Sequence, residues 1–183
     1  MLVLVVGPSG AGKDTLLAAA RASLGEDRRF RFVRRVITRP ADAGGEPHES
    51  VTEAEFAARV AAGGFALTWR AHGLQYGIPA DITADLDQGR VVVANLSRAV
   101  IAEAAERFRV RVVEITAPAA LLAQRLAARG REDADDLARR LARAITLKLP
   151  VERETILNDG TVEDGARLLV AALTRAASGA PPA

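Results

Sequence analysis

The stretch LVLVVGPSGAGKDT, residues 2–15, decides the fold of this 183-residue chain. Residues 2–6 form an apolar run of Leu and Val, which is typical of a strand buried on both faces of a parallel sheet. The residues from Gly7 to Lys13 match G-x-x-x-x-G-K, in which glycines let successive backbone N–H groups surround phosphate oxygens. A helix is predicted from Lys13 to Leu24, and its N-terminus adds partial positive charge. The sequence therefore predicts a phosphate-binding loop between a buried strand and a helix.

The lysine of this loop is one of two in the chain. Apart from Lys13 and Lys148, all of the 25 basic residues are arginine. An ammonium group is a compact charge, so Lys13 is the expected ligand of the β- and γ-phosphates. Together, the residues expected to bind ATP in the loop are Gly7, Pro8, Ser9, Gly10, Ala11, Gly12, Lys13, Asp14 and Thr15.

The position after Lys13 departs from the general motif. It normally holds Ser or Thr, whose hydroxyl binds Mg²⁺, but here Asp14 is followed by Thr15. A carboxylate is a good ligand for Mg²⁺, and we expect Asp14 to hold the ion directly or through water. The alternative is an ordinary acidic residue at a helix start.

The composition is that of an ordinary globular domain, with 49% hydrophobic and 26% charged residues. There is no cysteine, which excludes disulfides, thiolate metal sites and a cysteine nucleophile. A net charge of +2 is small for a nucleic-acid binder. No apolar stretch approaches the ~20 residues that cross a bilayer. We therefore expect a cytoplasmic protein with no nucleic-acid or membrane partner, and its oligomeric state is open.

Strand and helix patterns alternate along the chain. Strands are predicted at 2–6, 30–38, 65–70, 74–78, 91–96, 110–116 and 153–157. Helices are predicted at 13–24, at 52–62 from a capping box, and at 79–88, 98–108, 118–129, 133–147 and 162–177. The alternation predicts an α/β fold with a parallel sheet flanked by helices.

A single P-loop kinase domain is expected over residues 1–177. Its core would comprise 1–40, 90–130 and 150–177, with a small acceptor insert at about 41–80 and an Arg-rich lid at about 125–148. The tail, 178–183, is expected to be disordered.

Two features point to an anion site on the acceptor side. Arg35 and Arg39 alternate onto one face of the predicted strand 30–38, from which Arg39 would clamp a phosphate with two hydrogen bonds. The alternative is a solvated, charged strand edge. Tyr76 is the only tyrosine. Its hydroxyl is expected to donate to a phosphate, and the alternative is a half-buried tyrosine that only packs against its neighbours.

A third basic cluster lies in the predicted lid. Its arginines are Arg125, Arg129, Arg131, Arg139, Arg140 and Arg143. A helix–Gly–helix segment with this much arginine is able to close over a charged transition state and exclude water. The alternative is an exposed helix with acidic ion-pair partners. Arg125 and Arg131 are the expected catalytic residues of the lid.

Taken together, these landmarks resemble the nucleoside-monophosphate-kinase type of P-loop protein, with the layout of a guanylate kinase. The shared landmarks are the phosphate loop, Thr38-Arg39-Pro40, the capped helix after Thr52, Tyr76-Gly77, the Arg125–Arg131 lid and Asn158-Asp159. Guanylate kinases, however, place a Glu before the Tyr-Gly pair and two Asp after the middle strand, where this chain has Arg70, Asn95 and Ser97. Because the N–H groups of guanine need carboxylate acceptors, guanine selectivity is not expected.

The sequence resembles the ribose 1,5-bisphosphate phosphokinases of phosphonate degradation more closely, over about residues 2–174. The shared traits are Gly12-Lys13-Asp14, Ile37-Thr38-Arg39, His72-Gly73, Tyr76-Gly77, Asn95-x-Ser97-Arg98, Arg129-Gly130-Arg131-Glu132 and Asn158-Asp159-Gly160. This resemblance implies that ATP phosphorylates ribose 1,5-bisphosphate to 5-phosphoribosyl 1-diphosphate, with Mg²⁺ as cofactor.

Site residues are expected in three groups. The catalytic ones are Lys13, Arg39, Arg125 and Arg131. Arg129 and Asn158 are expected to join the loop in binding the nucleotide. The residues expected to contact the sugar bisphosphate are Arg35, Arg39, Arg70, Tyr76, Asn95, Ser97 and Arg98.

Two other functions stay open. One is a guanylate kinase or another nucleotide kinase, which Arg70, Asn95 and Ser97 argue against. The other is a non-catalytic P-loop module that binds a protein or RNA. Degenerate guanylate-kinase-like domains of that kind usually lack the loop lysine, whereas Lys13 is present here.

Overall fold

The protein is described from a computed structural model over residues 1–40, 47–127 and 151–179. Its larger sheet contains β1 (Leu2–Val6), β2 (Phe30–Phe32), β7 (Val91–Asn95), β8 (Val110–Thr116) and β9 (Glu152–Leu157). The strand order is β2-β7-β1-β8-β9, and all neighbours are parallel. The loop after β1 therefore starts at the middle of the sheet, at its carboxyl edge.

A second, four-stranded sheet lies between β2 and β7 in sequence. It consists of β3 (Val36–Ile37), β4 (Glu49–Ser50), β5 (Phe65–Ala71) and β6 (Leu74–Pro79). Its order is β4-β3-β6-β5, and β6 pairs antiparallel with both of its neighbours. Since β3 belongs to this sheet, the sheet begins before residue 41, where the predicted insert starts.

Helices cover both faces of the larger sheet. They are α1 (Lys13–Leu24), α3 (Ile82–Asp87), α4 (Ile101–Arg107), α5 (Ala119–Ala127) and α6 (Val162–Ser178). The remaining helix, α2 (Glu53–Ala61), packs through Phe56 against the second sheet. Val3 and Val5 pack on the side of α1 and α6, whereas Leu2 and Leu4 face the other core. Both faces of β1 are thus buried, as its apolar run predicts, and each such side chain stabilises the fold by about 1.5–3 kcal/mol.

The predicted strand 30–38 is wrong as one element. Val33 N still donates to Val93 O in the larger sheet, at 2.9 Å, but Arg35 O already accepts from Glu49 N in the second sheet, at 2.8 Å. Arg34 alone lies between these two hydrogen bonds. The chain changes sheets here, so a continuous β pattern in sequence becomes two short strands.

Most other predicted elements are confirmed, with small shifts at their ends. The capping box is present, since Thr52 Oγ1 accepts from Glu55 N and Glu55 Oε2 accepts from Thr52 N. The predicted helix 79–88 is shorter and starts at Ile82, and the predicted helix 98–108 opens with a 3₁₀ turn, Arg98–Val100. The predicted helix 133–147 and residues 180–183 of the tail lie outside the described residues.

A buried carboxylate ties β2, α3 and β7 together. Asp85 accepts hydrogen bonds from Arg31 and Arg90, and Arg90 also donates to the carbonyl of Arg28. Burial alone raises the pKa of Asp85, but the hydrogen bonds and charges of the two arginines outweigh it and hold the pKa below its ordinary value. Within the described part of the chain, no helix has the length and apolarity needed to cross a membrane.

Candidate active site

The phosphate loop is packed so tightly that two of its glycines have no room for a side chain. Gly7 has φ 146°, and a Cβ there would overlap the carbonyl oxygen of Ile115 on β8. Gly12 has φ 85° and precedes α1. A Cβ on Gly12 would overlap the side-chain amide of Asn158. These positions need glycine both for the backbone conformation and for the space, which explains the spacing of the motif.

Lys13 is folded back across this loop. Its ammonium donates to Gly7 O and Pro8 O, both at 2.9 Å. These two carbonyls hold the charge at the mouth of the loop, at the carboxyl end of β1. The first turn of α1 supplies backbone N–H groups on the same side, so the loop is an anion-binding cradle.

The side chains of two residues, Asn158 and Arg125, donate hydrogen bonds to the backbone of the phosphate loop. Asn158 is 5% exposed, and its Nδ2 donates to Ala11 O at 2.8 Å. Arg125 Nη1 donates to Gly10 O at 3.4 Å and to Asn158 O at 3.2 Å. Asn158 was expected to bind the nucleotide and Arg125 to be a catalytic residue of the lid; here both contact the backbone of the phosphate loop or of its neighbour Asn158. The other arginines of the predicted lid, among them Arg129 and Arg131, lie outside the described residues.

A cleft of about 580 Å³ opens between this loop and the second sheet. It brings together the loop, through residues such as Lys13 and Asp14, with every predicted sugar-contacting residue except Arg39. Those residues are Arg35, Arg70, Tyr76, Asn95, Ser97 and Arg98. Two other concavities, of about 540 and 480 Å³, lie at the opposite edge of the sheet, where strands begin. We place the site in the cleft, because ligands of open α/β sheets bind at the carboxyl ends of the strands.

The cleft is strongly cationic. Of the described residues that line it, Asp14 is the only carboxylate, facing Lys13 and three arginines. Arg98 is 3.4 Å from Glu114 on β8, and Arg70 donates to the neutral amide of Gln75 at 3.3 Å. Such a surface favours a ligand with several negative charges.

Asp14 is the residue of the cleft that could hold a metal ion. Its Oδ1 accepts from Asn95 Nδ2 at 2.8 Å, which orients the carboxylate at the mouth of the loop. No group of three or more potential metal ligands occurs among the described residues. A lone carboxylate fits Mg²⁺, because this ion binds one or two carboxylates together with substrate phosphates and water.

Arg39 takes a different place from the one expected. Its Nη2 is 3.1 Å from His48 Nδ1, while His48 Nε2 is 3.1 Å from Arg39 O. A guanidinium only donates, so Nδ1 accepts and Nε2 carries the proton. The predicted alternation of Arg35 and Arg39 assumed one strand through residue 38; that strand is broken, and only Arg35 lines the cleft.

Two residues of this region were missed in the sequence. His48 is 4% exposed and holds Arg39, but nothing in its sequence context indicates that contact. Trp69 lines the cleft and faces Tyr76 across the β5–β6 pair. It could have been found, because residues 65–70 and 74–78 were predicted as neighbouring strands.

Known proteins with similar sequences point to one family, although no family model matches the chain. The chain is 54% identical over 175 residues to ribose 1,5-bisphosphate phosphokinase PhnN of Methylobacterium radiotolerans, covering 94% of this chain and 96% of that protein. Its counterpart in Agrobacterium fabrum is 44% identical over 183 residues, with 99% and 100% covered.

Other relatives are longer. The chain is 50% identical over 179 residues to a bifunctional ribose 1,5-bisphosphokinase-thymidine phosphorylase of Azorhizobium caulinodans, which covers 94% of this chain. It spans only 25% of that protein's length.

Solved structures show the fold. The crystal structure of guanylate kinase from Anaplasma phagocytophilum superposes with a TM-score of 0.70 at 19% identity, over 94% of this chain and 84% of that one. This chain therefore shares the fold of that protein. With this fold, the loop and cleft described above, and near-complete coverage of the Methylobacterium radiotolerans and Agrobacterium fabrum relatives, the chain belongs to the ribose 1,5-bisphosphate phosphokinase family.

Proposed function

We propose that the protein transfers the γ-phosphoryl group of ATP to ribose 1,5-bisphosphate, giving ADP and 5-phosphoribosyl 1-diphosphate. The observation that carries the proposal is the cleft, where a phosphate loop faces Arg35, Arg70 and Arg98, and where Asp14 is the only carboxylate among the described lining residues. An acceptor with two phosphates and no base matches this charge distribution. Relatives that are 44–54% identical to this chain are named ribose 1,5-bisphosphate phosphokinase PhnN, which supports the same substrate.

The reaction needs positioning and charge neutralisation more than acid–base chemistry. The nucleophile is an oxygen of the acceptor phosphate, whose second pKa is about 6, so it is already ionised at neutral pH. It attacks the γ-phosphorus while the bond to the β–γ bridging oxygen breaks, and ADP leaves with that electron pair. Lys13 neutralises charge on the transferring group, and the cleft arginines hold the acceptor in line. No general base is required.

Magnesium is part of the proposal. Asp14, oriented by Asn95, would hold the ion against the phosphates of ATP. When bound, Mg²⁺ supplies neutralisation of the charge that develops between the β- and γ-phosphates. The roles of Arg39, Arg125 and Arg131 in catalysis and of Arg129 in nucleotide binding remain predictions, as do the pathway of phosphonate catabolism and the cytoplasmic location.

ADP release with Mg-ATP tests the proposal. Ribose 1,5-bisphosphate and GMP are offered in parallel, and the product is identified by phosphorus NMR. Turnover of the sugar bisphosphate to the diphosphate is expected, with little or none on GMP. The Lys13→Met variant is the control for a contaminating kinase, because it removes the loop charge. Turnover on GMP alone would show that the acceptor assignment is wrong.

A further inference from the structure

Arg35 lies against a pair of stacked aromatic rings inside the cleft. Trp69 and Tyr76 are opposite each other in the β5–β6 register, with ring centroids 5.2 Å apart and planes inclined by 8°. The guanidinium carbon of Arg35 is 5.2 Å from the Tyr76 centroid and 5.9 Å from that of Trp69. A cation at this distance is attracted to the faces of the rings. We call these three side chains the Arg35 stack.

The rings give the guanidinium a fixed support. Trp69 is 9% exposed and Tyr76 is 8% exposed, and both belong to the core that also contains Ile37 and Ile78. Rings held by a core move little, so a guanidinium in contact with them is already ordered. An arginine ordered in advance loses less conformational entropy when a ligand binds.

The geometry of the Arg35 stack suits an anion. The guanidinium of Arg35 lies near the two rings and also lines the cleft, and its N–H donors form a planar fork. That in-plane arrangement binds phosphate through two parallel hydrogen bonds. A nucleobase would instead stack on an accessible face of an aromatic ring. Here the guanidinium of Arg35 already lies next to the two rings. Arg35 and Trp69 line the same cleft as Lys13, so an anion bound here is part of the acceptor.

We propose that Arg35 binds a phosphate group of the acceptor and that Trp69 positions Arg35 for this contact. The inference rests on the proposed function, since it takes the acceptor to be a sugar bisphosphate. The group recognised is a phosphate monoester, which the sugar carries at both C1 and C5. Trp69 acts through Arg35 and is therefore a positioning residue.

Binding can be measured without turnover, because Trp69 is the only tryptophan in the chain. Its fluorescence is followed while ribose 5-phosphate, α-ribose 1-phosphate or plain ribose is added. A saturable change is expected with at least one monophosphate and none with ribose. Arg35→Gln is expected to weaken that binding about tenfold or more, as measured by calorimetry. The monophosphate whose affinity falls identifies the end of the sugar that Arg35 holds.

Matched variants separate this role from general damage. Arg167→Gln is the control, because Arg167 is an exposed arginine on α6 paired with Asp164. Trp69→Leu is expected to raise the KM for the sugar bisphosphate about fivefold or more, with kcat and the KM for ATP unchanged. Trp69→Phe keeps a ring under Arg35 and is expected to restore most of the loss. Circular dichroism checks that each variant is folded.

The outcomes are distinguishable from failure of the proposed function. If the wild-type protein turns over the sugar bisphosphate but Arg35→Gln binds both monophosphates normally, the Arg35 assignment is overturned and the function stands. If Trp69→Leu lowers kcat with an unchanged KM, the positioning role of Trp69 is overturned. If the wild-type protein neither binds nor turns over any of these sugars, both proposals fall.

Discussion

Replacing Asn158 by alanine is expected to lower the free energy of unfolding by about 2 kcal/mol and to raise the KM for ATP severalfold. The side chain is nearly inaccessible to water, and its amide donates to Ala11 O at 2.8 Å. Ala11 is fully buried, so water cannot replace the lost donor. A buried polar group deprived of its partner costs about 1–3 kcal/mol.

The substitution also removes a wall of the phosphate loop. The Asn158 amide fills the space that a Cβ on Gly12 would enter, one residue before Lys13. Without it, the backbone at Gly12 gains freedom that ATP must remove on binding. Urea unfolding followed by circular dichroism measures the first effect, and initial rates of ADP release measure the second.

Asn158→Asp distinguishes the hydrogen bond from packing, because Asp has nearly the same shape. At pH 7 its carboxylate can only accept, and it would face the acceptor Ala11 O. Asn158→Asp is therefore expected to be less stable than Asn158→Ala at pH 7. Burial opposite a carbonyl oxygen raises the pKa of this carboxyl above its ordinary value, so the difference should shrink as the pH falls toward about 4, where the carboxyl is protonated and donates again. If Asn158→Ala stays within about 0.5 kcal/mol of wild type, and Asn158→Asp is no worse, the loop does not depend on this amide.

Three further substitutions test other parts of the structure. Asp85→Asn should cost about 2 kcal/mol of unfolding free energy at pH 7, since Arg31 and Arg90 keep their positive charges but lose the carboxylate that balances them. Because the folded pKa of Asp85 is lowered, wild type should lose this advantage as pH falls below about 4, and equal urea midpoints at pH 7 would refute the prediction. Gly7→Ala should abolish ATP binding, measured by calorimetry, because its Cβ would displace Ile115; retained affinity would contradict the geometry. His48→Ala should raise the KM for the acceptor if Arg39 clamps a phosphate, and an unchanged KM would remove Arg39 from the site.

Much of the fold could be predicted because its signals are local. The apolar run 2–6, the glycine spacing and the Thr52 capping box each specify a conformation within a few residues. The break in 30–38 could not be predicted in this way. Residues on both sides of it favour β structure, and the change of sheet is decided by hydrogen bonds to Val93 and Glu49, which are distant in sequence.

The site shows the same division. The loop follows from its motif and Arg35 from its position on a predicted strand, whereas Arg70 and Arg98 were expected through a family resemblance; the structure brings all of them together in the cleft. Asn158 was associated with the nucleotide through a family resemblance, yet its contact is with the loop backbone, 147 residues away in sequence. The ring contacts of Arg35 also depend on tertiary packing, since they require the β3–β6 and β5–β6 pairings at once.

Between β2 and β3, Arg34 is the single residue that connects the two sheets, so the length of the chain there is constrained. On one side, Val33 is fixed to Val93; on the other, Arg35 is fixed to Glu49. Adding or deleting one residue between these anchors would shift the following strand by half a pleat period and turn its side chains to opposite faces. Arg35 would then leave its aromatic support. We therefore expect an insertion or deletion between Val33 and Arg35 to impair the protein, even where a substitution of Arg34 itself is tolerated.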